Sequence, residues 1–569
     1  MAIISNKKTI FLVCIFSFTI IVFLSAFLNL LLAVFPVNYE LGHDEAEHLH
    51  VAYLLEQGQR PYLDFIENHP TLFNHYLKWL WKFFKLHTVR EWAFAARLTI
   101  FFHIVLMFLI FFIWLSGLIK PKPNKLFITF CFLLSFSFIG FYHGQLEFMW
   151  QIRPDWISYG YSFLGFYLFY LYLRHRVQDK HRLPSAIYLV IGAAFVGLGN
   201  AILPKGFTII LGITMGLLLL TFTRQINRDL IFSKKVINGS ILFGILVFIF
   251  FILFANLDCK LSNVDLISWA KANFLLNSSK HLPLTNADNN PITSLSAIFS
   301  LNLTLILVLS TWLFVKISSR QTDEGSNTEK QLLVLSTSVI IINVSMTGFG
   351  NGLSWPHYFI PSVFAALTIY IILILDLISF KRALRLKKAN FPEKYFFILA
   401  IVIIFSVLSK QPMGLYSGII NRQANLSDSL VMKNNDYLNE SILPNNFIYF
   451  TPKPTEMPIR ARHAGYYFML VIDKKIWNDC YNLGLAPEPE SHLKHLFDTN
   501  PPDILAFNGM VKLYEYVVFA YAVQEVNLTW LFDEVDKRYV LMKNRQRQIF
   551  VREDLTELMT SKGWEKVSK

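Results

Sequence analysis

The stretch FLVCIFSFTIIVFLSAFLNLLLAVF occupies residues 11–35, and the charged stretch HDEAEH follows at residues 43–48. A helix needs about 20 consecutive apolar residues to cross a bilayer, so the first stretch is long enough to span a membrane. It contains no small-residue cleavage motif and is longer than the core of a signal peptide, so we interpret it as a retained first helix. The second stretch then places three carboxylates and two histidines beside a membrane span, where charged groups are costly unless they serve a function.

The composition indicates a polytopic membrane protein. Of the 569 residues, 54% are hydrophobic and 16% are charged, whereas soluble proteins carry roughly 25% charged residues. Long apolar runs favour helices as the spanning element, so the sequence predicts an all-α membrane domain of about 11 transmembrane helices. The predicted spans are 10–36, 96–119, 126–143, 156–173, 185–203, 206–223, 236–256, 294–317, 331–348, 358–380 and 395–409.

The distribution of Lys and Arg predicts the orientation of these spans. Basic residues concentrate in alternate connections, at 120–125, 174–182, 223–235 and 381–394. Because cytoplasmic loops carry this excess, we expect a cytoplasmic N-terminus, an outward-facing first loop at 37–95 and location in the inner (plasma) membrane. The net charge of +13 is then mostly loop bias, which suggests contact with anionic membrane lipids and no nucleic-acid partner.

Two domains are predicted, a transmembrane domain over residues 1–409 and an extracytoplasmic α/β domain over 410–569. After Lys410 the chain becomes polar, and short apolar runs at 446–450, 503–507 and 548–551 are typical of strands. The four cysteines form no CxxC pair, which argues against a metal or redox site. Cys259 and Cys480 could share a compartment, and their spacing alone is weak support for a disulfide.

The first outer loop contains the residues suited to chemistry. DEAEHLHVAYLLEQG begins with acids and ends with Gly58, as helices often do. A second helix, PTLFNHYLKWLWKFFKLH, mixes Trp and Phe with Lys, which is typical of a segment in the membrane interface. Asp44 and Glu45 on one side, and Glu67 and His69 on the other, are therefore expected to converge on one pocket at the outer leaflet.

Five motifs share this predicted outer face. They are Asp44-Glu45, Glu67-Asn68-His69-Pro70, QIRPD (151–155), LPKG (203–206) and WPHYFIPSVF (355–364). In their order and sidedness they resemble the C-type (GT-C) integral-membrane glycosyltransferases, in particular the branch with the protein O-mannosyltransferases and the lipid A aminoarabinose transferases. The second motif departs from the mannosyltransferase pattern, which has Asp and a double proline. Mannose and a protein acceptor are therefore not implied.

The resemblance implies an inverting transfer of a hexose or pentose from a polyprenyl-phosphate donor to a glycan, lipid or protein acceptor. Asp44 is expected to be the general base, with Glu45 and Glu67 as further catalytic carboxylates. The expected substrate-binding residues are His69, Arg153, Asp155, Lys205, His357 and Tyr358. Arg153, Lys205 and His357 would stabilise the departing lipid phosphate. Because basic residues can neutralise a monophosphate, we expect no cofactor and no obligatory metal.

Plainer interpretations exist for several of these residues. Asp44 and Glu45 could simply begin a helix, and Glu47 and His48 are interpreted as solvated helix positions. A zinc site of His43, Glu47 and His48 matches no established ligand spacing. Arg153 and Asp155 could form a structural ion pair.

Two other functions compete with single-sugar transfer. A transporter or flippase of a lipid-linked glycan would place its key charges at the bilayer midplane, often within repeated halves. Here the charges gather at the outer span ends and no repeat is visible, which favours an enzyme. A ligase or polymerase of whole lipid-linked oligosaccharides would instead require a diphosphate-linked donor.

Overall fold

A computed structural model describes most of residues 37–95, called here the first outer loop after its predicted side, several helices of the predicted membrane domain and much of the C-terminal region. The described residues are 43–65, 67, 69–118, 151–177, 182–222, 234–276, a few isolated positions between 335 and 368, 446–450, 458–463, 480–506, 528–544 and 547–567. The spans predicted at 10–36, 126–143, 294–317 and 395–409 lie outside these residues. So do most of 331–348 and 358–380 and the predicted domain boundary at 409.

Helices occupy the described part of the membrane domain. They are α1 (His43–Glu56), α2 (Leu72–Phe83), α3 (Val89–Leu118), α4 (Asp155–Val177), α5 (Arg182–Ile202), α6 (Phe207–Phe222), α7 (Lys234–Ser262) and α8 (Leu266–Ala270). A 3₁₀ turn, Pro204–Gly206, joins α5 to α6, and a π-helical turn, Lys271–Leu276, follows α8. Helices α3 to α7 coincide with predicted spans, which confirms helical structure there.

Length and apolarity single out one membrane-crossing candidate among the described helices, Ile237–Ser262 within α7. A shorter apolar helix covers Ala186–Ile202. The total of about 11 spans therefore stays a prediction.

Glycines let α4, α5 and α7 approach closely. A Cβ atom on Gly165 of α4 would lie 2.6 Å from Val196 of α5, and one on Gly197 would lie 2.7 Å from Phe250 of α7. Such distances are shorter than van der Waals contact, so only glycine fits at these two crossings. The three helices form a packed unit with a shared apolar core.

The first outer loop folds into the two predicted helices, but the stretch between them, expected to be extended, makes a turn at residues 61–65. Gly58 ends the capping turn of α1 with φ of +78°, and the Gln59 amide donates to the Leu54 carbonyl over 3.0 Å. Trp79 and Phe83 of α2, and the capping residue Phe84 that follows them, are more than half exposed, as expected of an interfacial helix.

The C-terminal region contains a six-stranded mixed sheet flanked by helices. Its strands are β1 (Ile448–Phe450), β2 (Arg462–His463), β3 (Ile504–Leu505), β4 (Tyr539–Asn544), β5 (Arg547–Arg552) and β6 (Glu565–Lys566), in the order β2-β1-β3-β5-β4-β6. Strands β2, β1 and β3 run parallel to one another. The pairs β3–β5, β5–β4 and β4–β6 are antiparallel. The flanking helices are α9 (Pro489–Thr499), α10 (Trp530–Arg538) and α11 (Thr556–Ser561). Strands β1, β3 and β5 lie at the three predicted positions.

One hydrophobic cluster joins the sheet domain to the membrane domain. From the membrane side it contains Tyr62, Cys259 and Trp269, and from the C-terminal side Phe450 and Leu493. Cys480 belongs to the same cluster, yet both cysteines are free thiols, so the weakly supported disulfide is not formed.

Candidate functional site

Asp44, in the first turn of α1, forms an ion pair with Arg153, whose Nη1 contacts its Oδ2. Arg153 also contacts Asp155 through Nε at 3.2 Å. The Asp44 side chain is 41% exposed, whereas Arg153 is 14% and Asp155 6% exposed. The guanidinium is thus shared between two carboxylates, of which only Asp44 presents a large part of its surface to solvent.

Glu45 faces the protein interior instead. Arg97 of α3 donates to it through Nε and Nη2, over 2.8 Å and 2.6 Å, and the Ile152 amide donates over 2.9 Å. Both charged side chains are 1% exposed. Glu45 therefore joins α1 to α3 and to the 151–155 segment, and this contact positions Arg153 beside Asp44.

The Glu67–His69 segment lies against α1 one turn beyond Asp44. Glu67 is 2% exposed and accepts hydrogen bonds from the His69 amide, over 2.9 Å, and from its ring Nδ1, over 3.2 Å. The His69 ring lies edge-on to the His48 ring, 6.2 Å between centroids. The two halves of the loop thus meet at His48 and His69, whereas Glu45, expected in the same pocket, turns toward Arg97.

The interpretation of Glu47 and His48 as solvated positions is wrong. Glu47 is 8% and His48 6% exposed, because the Glu67 segment and α2 cover this side of α1. His48 contacts Phe73 edge-on, and its carbonyl accepts a hydrogen bond from the Asn74 side chain over 3.1 Å. Both residues are therefore covered by the other half of the loop.

Burial and neighbouring charges shift two pKa values here. Burial, reinforced by His69, lowers the pKa of His48 to about 4, so its ring is neutral near pH 7. Burial alone would raise the pKa of Glu67, but the hydrogen bonds from His69 outweigh it and the pKa is lowered. Glu67 is therefore ionised.

Tyr62 fixes the Glu67–His69 segment from one side. Its hydroxyl donates to the His69 carbonyl over 2.8 Å, and the Asn273 amide donates to that hydroxyl over 3.1 Å. Tyr62 has φ of +65°, a left-handed conformation that is strained for a bulky residue. Strain of this kind persists only where the surroundings enforce it, and this turn aims the tyrosine at the segment that carries Glu67.

A buried polar network fixes the same segment from the other side. Asp258, near the end of α7, accepts hydrogen bonds from the Thr71 amide over 2.9 Å, its hydroxyl over 2.7 Å and the Trp269 indole over 2.8 Å. The Ser262 hydroxyl contacts Thr71 Oγ1 and His75 Nε2, each at 2.8 Å. A membrane helix thus holds the residue that immediately follows the Glu67-to-Pro70 motif.

The remaining predicted substrate-binding residues are only partly described. Lys205 lies in the 3₁₀ turn between α5 and α6. Ser158 of α4 holds the residues just before this turn, because its Oγ donates to the Gly199 carbonyl over 2.7 Å and to the Leu203 carbonyl over 3.3 Å. His357 and Tyr358 lie outside the described residues.

Arg97 and Asp258 were missed by sequence reasoning. Each is a charged residue near the end of an apolar span, and a charge in such a place is functional or structural by default. The same rule marks the HDEAEH stretch and could have identified both residues, although it does not name their partners.

A possible metal-ligand group combines Glu47, Glu67 and His69. Each offers one ligand atom, and the three atoms lie within 4.8 Å of one another. The group shares only Glu47 with the zinc site weighed from the sequence.

The whole chain is similar to solved structures of integral-membrane glycosyltransferases. ArnT from Cupriavidus metallidurans, bound to undecaprenyl phosphate, superposes with a TM-score of 0.50 at 12% identity, over 93% of this chain and 97% of ArnT. The oligosaccharyltransferase AglB from Archaeoglobus fulgidus, in complex with an inhibitory peptide and a dolichol-phosphate, gives a TM-score of 0.49 at 11% identity, over 94% of this chain and 74% of AglB. No protein-family model matches the sequence, and neither does any curated protein sequence. The likeness to ArnT, together with the ordered motifs, gives the chain the fold of the C-type integral-membrane glycosyltransferases.

Proposed function

We propose that the protein transfers a sugar from a polyprenyl-phosphate donor to an acceptor hydroxyl on the outer face of the membrane, with Asp44 as the general base. The fold supports a glycosyltransferase, and the ArnT structure of the same fold contains undecaprenyl phosphate. The choice of base rests on the chemistry of the first outer loop.

The observation that carries this assignment is the exposure of Asp44. Its side chain is 41% exposed, whereas Glu45, Glu67 and Asp155 are nearly or fully buried. A base must reach the acceptor hydroxyl to within hydrogen-bond distance, and of these carboxylates Asp44 is open to a substrate. Its ion pair with Arg153 fixes its direction.

The proposed reaction is a single displacement. The acceptor oxygen attacks the anomeric carbon as the bond from that carbon to the phosphate oxygen breaks, so the anomeric configuration inverts. Asp44 accepts the hydroxyl proton, and the electron pair of the broken bond leaves with the polyprenyl phosphate. Arg153 lies beside the base, so it can stabilise the charge that collects on this phosphate, with Lys205 and His357 as further proposed cations.

Two carboxylates receive supporting roles. Glu45 is proposed to position the 151–155 segment, since its carboxylate accepts hydrogen bonds from Arg97 and from the Ile152 amide. Glu67 orients His69, and His69 is proposed to bind substrate. In this scheme Glu45 holds the segment that carries Arg153, and Glu67 holds the His69 ring.

The test compares Asp44→Asn with Asp64→Asn. Asp64 lies in the same loop and is 33% exposed, but it pairs with Arg60 rather than with Arg153. Glycans extracted from the cell envelope would be measured by mass spectrometry in strains that express each variant at wild-type level. Asp44→Asn should lower transfer roughly 10²–10⁴-fold and remove one sugar from the product, while Asp64→Asn should leave the glycan unchanged. An unaltered glycan in the Asp44→Asn strain would refute the assignment of Asp44 as the general base.

A further inference from the structure

Glu47, Glu67 and His69 form a compact group beside the proposed base. Glu47 comes from α1, one turn beyond Asp44, while Glu67 and His69 come from the extended segment before α2. Their ligand atoms lie within 4.8 Å of one another. Two separate chain segments thus bring three metal-ligating side chains to one point.

The charge around this point favours a bound cation. Glu47 and Glu67 are both mostly buried, and like charges repel strongly where water is excluded. Arg153, the guanidinium beside the site, is shared by Asp44 and Asp155. A divalent ion between Glu47 and Glu67 would offset this repulsion.

The ligand types narrow the choice of ion. Two carboxylates and one imidazole suit Zn²⁺ or Mn²⁺, whereas Ca²⁺ needs six to eight oxygen ligands. Three protein ligands also leave coordination positions open, as in catalytic metal sites. The ligand segment is rigidly held, because Tyr62 hydrogen-bonds the His69 carbonyl and Asn273 hydrogen-bonds Tyr62. Supporting contacts of this kind orient metal ligands.

We propose that Glu47, Glu67 and His69 bind one divalent transition-metal ion, Zn²⁺ or Mn²⁺, one helical turn from Asp44. The inference goes beyond the proposed function, since the ion binds whether or not Asp44 is the base. It departs from the expectation of a metal-free enzyme. An open coordination position so close to Asp44 would suit a phosphate or hydroxyl oxygen of a substrate.

The test measures metal uptake by the full-length protein in detergent, with any affinity tag removed. The protein is stripped with a chelator and titrated with ZnCl₂ or MnCl₂, and bound metal is quantified by mass spectrometry after gel filtration. Wild type should take up one equivalent and melt at a higher temperature with the ion. Glu47→Gln and His69→Ala should bind at least about tenfold more weakly, and Asp64→Asn should bind like wild type. A wild type that takes up neither ion, or variants that bind like wild type, would overturn the site.

Zinc-edge X-ray absorption of the wild type identifies the ligands without any substitution. The expected shell holds only nitrogen and oxygen at about 2.0–2.2 Å. A sulfur ligand at about 2.3 Å would assign the ion to a cysteine thiol and refute the proposal. Asp44→Asn separates the two proposals, because it should lose sugar transfer and keep the ion. An unaltered glycan with the ion in place would reject only the base, and lost transfer without metal uptake in wild type would reject only the metal site.

Discussion

Replacing Arg97 with methionine should destabilise the protein strongly, because it leaves the Glu45 carboxylate buried without its guanidinium. Glu45 and Arg97 are each 1% exposed and joined by two hydrogen bonds. Removing one partner of a buried ion pair costs about 3–5 kcal/mol. The Ile152 amide would still donate to the carboxylate, which offsets only part of this cost.

A second substitution shows whether the cost comes from the stranded charge. In Arg97→Met with Glu45→Gln, the charge is gone and the glutamine oxygen can still accept from the Ile152 amide. The double variant should therefore recover at least half of the lost stability. Arg90→Met is the matched control, since Arg90 is exposed on the same helix.

The measurement is the melting temperature of detergent-solubilised protein, followed by intrinsic fluorescence. At about 2 °C per kcal/mol for a cooperative unit of 150–250 residues, Arg97→Met should melt at least about 6 °C below wild type. Arg90→Met should melt within about 1 °C of wild type, as surface substitutions usually do. A single variant that melts with the wild type, or a double variant no more stable than the single, would refute the reasoning.

Three further changes test other parts of the structure. Burial lowers the pKa of His50 to about 4. Between pH 6.5 and 4, the unfolded chain therefore binds a proton at this histidine that the folded protein does not bind. The free energy of unfolding should fall as pH drops from about 6.5 toward 4, by up to about 1.4 kcal/mol per pH unit. In His50→Gln, the melting temperature should therefore fall less between pH 7.5 and 5 than it does in wild type. Thr71→Val removes the hydroxyl hydrogen bond to Asp258 and should cost about 1–3 kcal/mol, while Thr71→Ser restores the melting temperature; equal melting of all three proteins would contradict the network. Gly165→Ala forces a Cβ into the facing helix and should cost about 1–3 kcal/mol, whereas Gly244→Ala meets no atom within 4 Å and should melt like wild type.

Helix and strand positions were predictable because they depend on local patterns. Long apolar runs identified α3 to α7, and short apolar runs between turn residues identified β1, β3 and β5. Gly58 ended the first helix as expected, because a left-handed C-cap needs a residue without a Cβ. These signals lie within a few residues of the element that they define.

The roles of individual acids were less predictable, because they depend on distant partners. Asp44 and Glu45 are neighbours in sequence, yet one faces Arg153 and solvent while the other is buried against Arg97. Glu47 would be solvated on an isolated helix, but the rest of the folded loop buries it. A one-dimensional pattern contains no information about which remote segment covers which face.

The hydrophobic cluster that joins the two domains has a consequence for biosynthesis. Tyr62 and Trp269 enter this cluster together with Leu493 and Leu531, which the ribosome adds much later. At about 5–20 residues per second, Tyr62 and Trp269 are synthesised at least about ten seconds before Leu531, and their apolar surface stays uncovered during that time. During that interval Tyr62 lacks the packing that enforces its strained turn. We therefore expect a chaperone or the membrane insertion machinery to shield this surface in the nascent chain, and we expect the first outer loop to reach its final structure only after translation has passed α10.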